Sequence, residues 1–312
     1  MDKNRFVKSH GLGNEYLVFD RDNITFELNK KAITRICNVN FGIGSDGILI
    51  NMGLLDRTTE NADIGLKIFN PDGSKAEVSG NGLRIFCKYA FDYGIITKRD
   101  FIVKIWPRKF KRKPLLRQCK IDELENGKAS LMTVDMGFPE FRCDAIPVIS
   151  EYEISQNEIF YIKGKRKPVE INCVSIGNPH CTIIKEIEGK RELFNRPNIV
   201  REIKKYGPII EKSKNKFPDK INIQYARVVN REEVEILIWE RGAGFTLASG
   251  SSSCAVASIL RKLDRINENV NIRMKGGELK IAIDKDGRIS MTGEVKQICE
   301  GVLNDELINE LH

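Results

Sequence analysis

The spacing of hydrophobic and polar positions along this chain predicts a mixture of strands and helices. Segments in which apolar residues alternate with polar ones, or follow one another briefly, predict strands. The segment 233–239 alternates most regularly, and its pattern directs Val234, Ile236 and Ile238 toward a core. The predicted strands are residues 5–8, 16–19, 48–50, 64–70, 101–106, 128–136, 170–176, 181–184, 221–226, 233–239, 270–274, 279–283 and 288–293, and helical spacing marks residues 29–39 and 197–206.

Two further helices are predicted to begin at similar Ser-Gly pairs. Ser79-Gly80 and Ser249-Gly250 each follow a glycine-containing turn and precede an apolar helical segment. Serine is a favoured N-cap residue, so plain capping explains both serines in structural terms. A helix N-terminus also attracts anions through its free N–H groups and its dipole. Two such termini, one in each half of the chain, predict a shared anion site.

The similarity of the halves predicts two domains of mixed α/β (α+β) structure that arose by internal duplication. Each half consists mostly of strands around one long helix that starts at Ser-Gly. We expect the first domain to contain residues 1–136 together with the C-terminal tail 297–312, and the second to contain residues 137–296. A cleft between two such domains is the expected place for a ligand.

Composition narrows the class of protein without identifying it. Among the 312 residues, 41% are hydrophobic and 30% are charged, as in ordinary globular proteins. Uninterrupted apolar stretches of 18 residues are absent, which argues against a membrane span. The polar N-terminus does not resemble a signal peptide, and a cytoplasmic location is therefore expected.

The formal net charge of +8 is concentrated in one segment, residues 108–117. A solvated loop or hairpin is the favoured interpretation of such a charge run. A site for nucleic acid or another acidic partner is the alternative, and we do not expect a nucleic-acid partner. The basic residues concerned are Arg108, Lys109, Lys111, Arg112, Lys113 and Arg117.

Cysteines and histidines do not indicate a metal site or a disulfide framework. The eight cysteines form no C-x-x-C pair and lie at irregular spacing, mostly among apolar residues. We interpret them as reduced thiols in the core. The chain has three histidines, His10, His180 and His312, and this composition does not indicate a histidine-rich metal centre.

Two glycine-rich turns bear on ligand binding. Residues 42–47 precede a predicted strand, whereas a dinucleotide-binding turn follows a strand and opens a helix, so this turn is not such a site. In residues 10–14, Gly11 and Gly13 allow a tight turn with Asn14 at its edge. Asparagine is common in turns for structural reasons, and a binding role for Asn14 is the alternative.

Several short motifs, in order along nearly the whole chain, resemble those of the diaminopimelate epimerase family of pyridoxal-independent amino-acid racemases and epimerases. The motifs are residues 10–14 (HGLGN), 70–74 (NPDGS), 79–82 (SGNG), 177–180 (GNPH) and 240–244 (ERGAG). The resemblance implies two pseudo-symmetric α/β domains, each with a partly rolled sheet around a central helix. It also implies a homodimer and a small-molecule amino-acid substrate, with neither a metal nor another cofactor.

The family has two catalytic cysteines, one acting as a thiolate base and one as a thiol acid on opposite faces of the substrate Cα. The resemblance places these catalytic positions at Ser79 and Ser249, where this chain therefore departs from the family pattern. It departs again at Phe245 and at residues 250–253, where the family often has a glutamate and a Gly-Thr-Gly-like run. A serine hydroxyl is a much weaker acid than a thiol and needs a neighbouring base to act as one.

The resemblance also implies which residues bind the substrate. Arg241 would hold a carboxylate and Glu240 would accept from an ammonium group. His180 is either a structural histidine or a proton relay. The residues that would form hydrogen bonds with the polar groups of the substrate are Asn14, Asn70, Asn81, Asn178 and Asn222. The reacting carboxylate would be held by the backbone N–H groups of Gly80, Asn81, Gly250 and Ser251.

Three interpretations of the double serine are open. In the first, both cysteines of an epimerase were replaced deliberately. In the second, the serines are natural and another acid–base pair, such as Glu240 and His180, transfers the proton. In the third, the protein binds an amino acid without converting it. The altered neighbours of Ser249 favour natural serines. The sequence predicts an isomerase that interconverts LL- and meso-diaminopimelate, with a paralogous racemase or a non-catalytic amino-acid-binding protein as the alternatives.

Overall fold

The computed structural model describes residues 2–76, 78–106 and 114–311 of the chain. Across these ranges the strands are β1 (Arg5–Gly11), β2 (Asn14–Asp20), β3 (Ile48–Leu54), β4 (Ile64–Phe69), β5 (Asp100–Ile105), β6 (Leu115–Glu125), β7 (Lys128–Gly137), β8 (Glu158–Phe160), β9 (Val169–Ser175), β10 (Pro179–Ile184), β11 (Asn222–Asn230), β12 (Glu233–Glu240), β13 (Gly244–Thr246), β14 (Asn269–Met274), β15 (Gly277–Ile283), β16 (Ile289–Glu294) and β17 (Lys296–Val302). The α-helices are α1 (Lys30–Cys37), α2 (Arg57–Glu60), α3 (Gly80–Asp92), α4 (Pro197–Glu211), α5 (Gly250–Lys262) and α6 (Asp305–Leu311). Basic residues 108–113 and His312 lie outside the described residues.

The chain divides into two compact units. Unit 1 contains residues 1–135 and 292–312, and unit 2 contains residues 136–291. The tail of the chain therefore belongs to unit 1, where β17 pairs antiparallel with β1. The C-terminal helix α6 packs on the same unit, because Ile308 and Leu311 join a hydrophobic cluster with Ile33 and Ile36 of α1.

Unit 1 is a mixed sheet that surrounds one helix. Strand β1 pairs antiparallel with β2, β2 parallel with β3, β3 antiparallel with β4, β4 parallel with β5, and β5 antiparallel with β6. Helix α3 lies against β1, β2, β3 and β6 and is buried from Gly80 to Ala90. A helix buried on all sides carries few charges unless they are paired, and Lys88 of α3 pairs with Asp92 at 2.8 Å.

Unit 2 has a sheet of the same connectivity. Strand β9 pairs antiparallel with β10, β10 parallel with β11, β11 antiparallel with β12, β12 parallel with β14, and β14 antiparallel with β15. Helix α5 contacts β9, β10, β11, β14 and β15, and almost all of its residues are buried. Helix α4 contacts β11, β12 and β13.

Both units therefore repeat one topology. The order antiparallel, parallel, antiparallel, parallel, antiparallel recurs, and the central helix follows the fourth strand of each series. A second helix, α1 in unit 1 and α4 in unit 2, connects the second strand to the third. The predicted α/β class, with two similar halves that each place a central helix against a mixed sheet, is confirmed.

Several local predictions differ from the structure, and the predicted elements lacked strands β6, β8, β13 and β17 and helices α2 and α6. Strand β12 is buried on both faces, because Glu235 and Leu237 are as inaccessible as the inward residues of the alternating pattern. Glu235 is tolerated there because it accepts from the Leu193 N–H and pairs with Arg227 at 3.1 Å. Helix α4 continues past residue 206 to Glu211 with Pro208 inside it.

The described cysteines are free thiols, and all except Cys299 are buried. Cys173 of β9 lies directly opposite Cys181 of β10 in the sheet. Burial raises the pKa of Cys119 well above that of a free thiol, as desolvation of a thiolate requires. Among the residues that the structure describes, no helix combines the length and the apolar character needed to cross a membrane.

Candidate active site

Ser79 caps the central helix of unit 1. Its backbone is extended, and its Oγ accepts a hydrogen bond from the Gly82 N–H at 3.0 Å. The hydroxyl of Tyr16 on β2 also donates to Ser79 Oγ, at 3.0 Å. The predicted N-cap is confirmed, and the helix begins at Gly80. The N–H groups of Gly80 and Asn81 lie in its first turn, where no intrahelical acceptor exists.

A chain of aligned side chains fixes the asparagines near this terminus. The buried guanidinium of Arg84 donates to Asn81 Oδ1 at 2.7 Å. Asn81 Nδ2 donates to Asn14 Oδ1 at 3.1 Å, and Asn14 Nδ2 donates to Asp46 Oδ2 at 2.8 Å. With a cation at one end and a carboxylate at the other, both amide groups have only one orientation that satisfies every bond.

Asn70 occupies the turn that leads toward Ser79. Its backbone N–H donates to Ser74 O at 2.8 Å, and its side-chain Nδ2 donates to Ser74 Oγ at 2.9 Å. These are the local bonds expected of a turn asparagine. The binding role implied for Asn70 stays a prediction.

Ser249 caps the central helix of unit 2 in the same way. Its Oγ accepts from the Ser252 N–H at 3.4 Å, and its carbonyl accepts from Ser253 Oγ at 2.9 Å. The residue is 4% exposed, whereas Ser79 is only half-buried. The sulfur of Met274 accepts from the Ser249 N–H at 3.5 Å, so a soft apolar side chain packs beside this terminus.

His180 lies on β10 and is fully buried. Burial, together with the positive charge of Arg241, lowers the pKa of His180 from 6.5 to about 3. The ring is therefore neutral at physiological pH. Its Nε2 contacts Asn178 Oδ1 at 2.9 Å, and its Nδ1 contacts Gln224 Nε2 at 3.0 Å. The other side of the Asn178 amide, Nδ2, donates to Ser251 Oγ at 3.5 Å. The proton-relay role implied for His180 stays a prediction.

The turn after β12 presents Glu240 and Arg241. The Arg241 N–H donates to Asn222 Oδ1 at 2.9 Å, and the guanidinium donates to Asp219 O at 3.1 Å while its side chain remains exposed. Asn222 Nδ2 in turn donates to Pro179 O at 2.8 Å. The side chain of Asn222 therefore ties the turn that carries Arg241 to the start of β10, the strand of His180.

The buried carboxylate of Glu211, at the end of α4, supports the same turn. It accepts from the Gly242 N–H at 3.2 Å and from the indole N–H of Trp239 at 2.8 Å. Lys220 lies 3.7 Å away and balances its charge. Phe245, one of the departures from the family pattern, packs against the core cluster of unit 2 beneath Lys204 of α4.

Several residues that hold the candidate site were not identified from the sequence. They are Tyr16, Asp46, Arg84, Glu211, Gln224 and Ser252. One signal was present for Gln224, because polar residues at positions 222 and 224 share one face of an otherwise apolar strand. The bonds of Glu211 join residues far apart in sequence and left no local pattern. Arg84 bonds Asn81 one turn earlier in α3, a pairing that hydrophobic spacing does not reveal.

A family model and several known proteins match this chain over most of its length. The family model for diaminopimelate epimerase matches residues 6–107 and 172–298. The chain is 39% identical over 306 residues to diaminopimelate epimerase 2 of Nostoc sp., covering 97% of this chain and 96% of that protein. It is 32% identical over 312 residues to diaminopimelate epimerase of Bacillus subtilis, covering 97% and 99% of the two chains.

Solved structures with the same fold have diverged further in sequence. A hydroxyproline epimerase from Agrobacterium vitis superposes with a TM-score of 0.68 at 12% identity, covering 97% of this chain and 93% of that one. A methylitaconate-delta-isomerase superposes with a TM-score of 0.62 at 13% identity, covering 100% and 98%. These structures show the shared fold, and the matches in sequence over almost the full length place the chain in the diaminopimelate epimerase family.

Proposed function

We propose that this chain is an amino-acid epimerase that interconverts LL- and meso-diaminopimelate by proton transfer at Cα. One observation supports the assignment of the reacting positions above all others. In each unit a serine caps the buried central helix at the same point of a repeated topology, and the family resemblance assigns the proton-transfer groups to these two positions. Ser79 and Ser249 are the proposed catalytic pair.

The helix termini supply the electrostatic part of this chemistry. Removing a Cα proton places negative charge on the substrate carboxylate, and that charge must be stabilised. The first-turn N–H groups of Gly80 and Asn81, and those of Gly250 and Ser251, are available to an anion and lie at the positive end of a helix dipole. Each terminus is therefore suited to hold a carboxylate group.

The surrounding side chains supply recognition. Arg241 offers an exposed guanidinium that matches the geometry of a carboxylate, and Glu240 beside it can accept from an ammonium group. The amides of Asn14, Asn81 and Asn178 are held in single orientations by their neighbours. Prealigned amides bind a zwitterion without an added ordering cost. Asn70 and Asn222 complete the proposed set.

A non-catalytic amino-acid-binding protein is the second candidate, and one observation favours it. Tyr16 and the Gly82 N–H both donate to Ser79 Oγ, and neither partner can take a proton from that hydroxyl. A serine without a base is a poor proton acceptor. The binding side chains would serve this function equally well.

Deuterium exchange at Cα separates the two candidates. The protein is incubated in D₂O with LL-diaminopimelate and a panel of other amino acids, and Cα deuteration is followed by NMR. Exchange with diaminopimelate supports the epimerase, and exchange with a different amino acid supports a paralogous racemase. Binding by calorimetry without any exchange would establish the binding protein instead.

Two arginine variants make the test specific to the proposed site. Arg241→Gln should abolish both exchange and binding, because it removes the proposed carboxylate contact. Arg231→Gln is the matched control, since Arg231 is an exposed arginine that pairs with Asp264. A cytoplasmic location and a homodimer stay predictions.

A further inference from the structure

The hydrogen bonds around His180 reveal how its ring is held. Gln224 lies on β11, directly beside the residues of β10, and is fully buried. Its Nε2 contacts two groups, His180 Nδ1 at 3.0 Å and Ser252 Oγ in the first turn of α5 at 3.0 Å. Its Oε1 accepts from Thr182 Oγ1 at 3.5 Å. The amide is thereby oriented with its nitrogen toward the imidazole.

An amide nitrogen can only donate, and this decides the tautomer of His180. Since Gln224 Nε2 donates to Nδ1, Nδ1 must be the bare nitrogen of a neutral ring. The hydrogen then lies on Nε2, which donates to Asn178 Oδ1 at 2.9 Å. Asn178 must therefore direct its Nδ2 group away from the ring, toward Ser251 Oγ at the start of α5.

We propose that Gln224 is a positioning residue of the substrate site, which fixes the Nε2–H tautomer of His180 and thereby the orientation of the Asn178 amide. The inference rests on the proposed function in taking Asn178 as a substrate-binding residue. His180 thereby couples the orientation of the buried Gln224 amide to that of the Asn178 amide beside the N-terminus of α5.

The energetics of the network agree with this assignment. Protonation of Nδ1 would turn the contact with Gln224 into an encounter of two donors. Relieving it would require the amide to rotate, which places Oε1 toward the ring and Nε2 toward Thr182. Burial of the ring and the charge of Arg241 act in the same direction, because both disfavour an imidazolium.

The tautomer can be measured directly in the ligand-free protein. Nitrogen NMR distinguishes a protonated ring nitrogen from a bare one, and the three histidines of the chain give few signals to assign. A His180→Gln variant identifies the His180 signals by their loss. The expected result is a protonated Nε2 and a bare Nδ1, and a protonated Nδ1 in the wild-type protein would overturn the proposal.

A substitution of the donor tests causation. Gln224→Glu keeps the shape of the side chain but presents acceptors to the ring, so Nδ1 should gain a proton. A ring that keeps a bare Nδ1 in this variant would show that Gln224 does not set the tautomer. Neither measurement requires substrate or turnover, so a failure here is distinct from a failure of the proposed function.

The effect of this positioning on substrate affinity is tested with Gln224→Met, which removes the hydrogen-bond donor to His180 Nδ1. Affinity for LL-diaminopimelate should fall about tenfold, appearing in KM or in the calorimetric Kd, while kcat changes by less than threefold. Asn172→Leu is the matched control, because it replaces a buried amide of unit 2 outside this network. Unchanged affinity in a folded Gln224→Met protein would contradict the positioning role.

Discussion

At the level of single residues, hydrogen bonds from neighbouring side chains fix the orientation of the proposed binding side chains. Arg84 and Asp46 align Asn81 and Asn14 in unit 1. In unit 2 His180 performs the same task for Asn178. A polar network with buried members is stable only when each of them is satisfied, so within each unit these side chains depend on one another.

The neutral state of His180 makes the stability of the protein depend on pH. The folded-state pKa is about 3, while the unfolded chain binds this proton near pH 6.5. Between these values the unfolded state binds more protons, so stability falls as the pH is lowered from 6.5 toward 3, by at most about 1.4 kcal/mol per pH unit. Urea unfolding across this range measures the slope.

In His180→Gln, the slope of the unfolding free energy against pH should decrease by an amount equivalent to up to one bound proton. Asn172→Leu removes a buried amide without removing a titratable group and should keep the wild-type slope. An identical pH dependence in His180→Gln and the wild-type protein would show that the imidazole is not held neutral.

The sequence predicted the residues whose signals are local and missed those whose roles depend on tertiary contacts. Ser79 and Ser249 were recognisable as N-caps because a cap is defined by its own helix. Hydrophobic spacing places Arg84 in a buried helix and Gln224 in a buried strand without indicating their bonds. Arg84 donates to Asn81 within α3, whereas the partners of Gln224 lie on β10 and α5. Family resemblance, rather than periodicity, indicated Arg241.

At the level of elements, hydrophobic spacing predicted most of the strands, and the repeated Ser-Gly helix starts predicted two similar halves, but neither predicted how the strands pair. Strand β12 shows the limit of this approach, since its alternating sequence is buried on both faces. The charged residue Glu235 can lie inside because Arg227 compensates it, and no pattern within the strand reveals that pairing. Strand β6 was missed since it adjoins the basic segment, which was interpreted as a loop or hairpin.

The caps of α1 and α3 provide a test that separates stability from function. Asn29 caps α1 by accepting from the Ala32 N–H, and Ser79 caps α3 by accepting from the Gly82 N–H. Asn29→Ala and Ser79→Ala should each lower the free energy of unfolding by about 1 kcal/mol. Denaturant unfolding measures this loss.

Only Ser79→Ala should also reduce Cα exchange, because α1 does not present the proposed substrate site. A comparable loss of exchange in Asn29→Ala would mean that general destabilisation, and not the hydroxyl at position 79, limits the reaction.

At the scale of the whole molecule, the C-terminal segment completes unit 1. Strand β17 lies along β1, and Leu311 is fully buried in the cluster formed with α1. Leu311→Ala should cost about 2 to 5 kcal/mol, the usual range for a buried leucine. Hydrogen exchange should show lost protection in β1 and α1.

The exposed residue Asn309 on the same helix is the matched control, and Asn309→Ala should leave protection unchanged. Equal effects of Leu311→Ala and Asn309→Ala would show that α6 does not stabilise the unit.

The N-cap positions of α3 and α5 are proposed to carry the proton-transfer groups. A thiol at a helix N-terminus has a lowered pKa and can serve as base or acid, whereas a serine hydroxyl is a much weaker acid and needs a neighbouring base. The double variant Ser79→Cys with Ser249→Cys should therefore raise the rate of Cα deuteration of LL-diaminopimelate by about 100-fold or more.

The measurement is the rate of Cα deuteration in D₂O for the wild-type protein, the double variant and the control Ser258→Cys. Ser258 is a buried serine within α5, away from its N-terminus. A large gain is expected in the double variant alone. A double variant that binds the substrate but exchanges no faster than the wild-type protein would contradict this assignment of the proton-transfer groups.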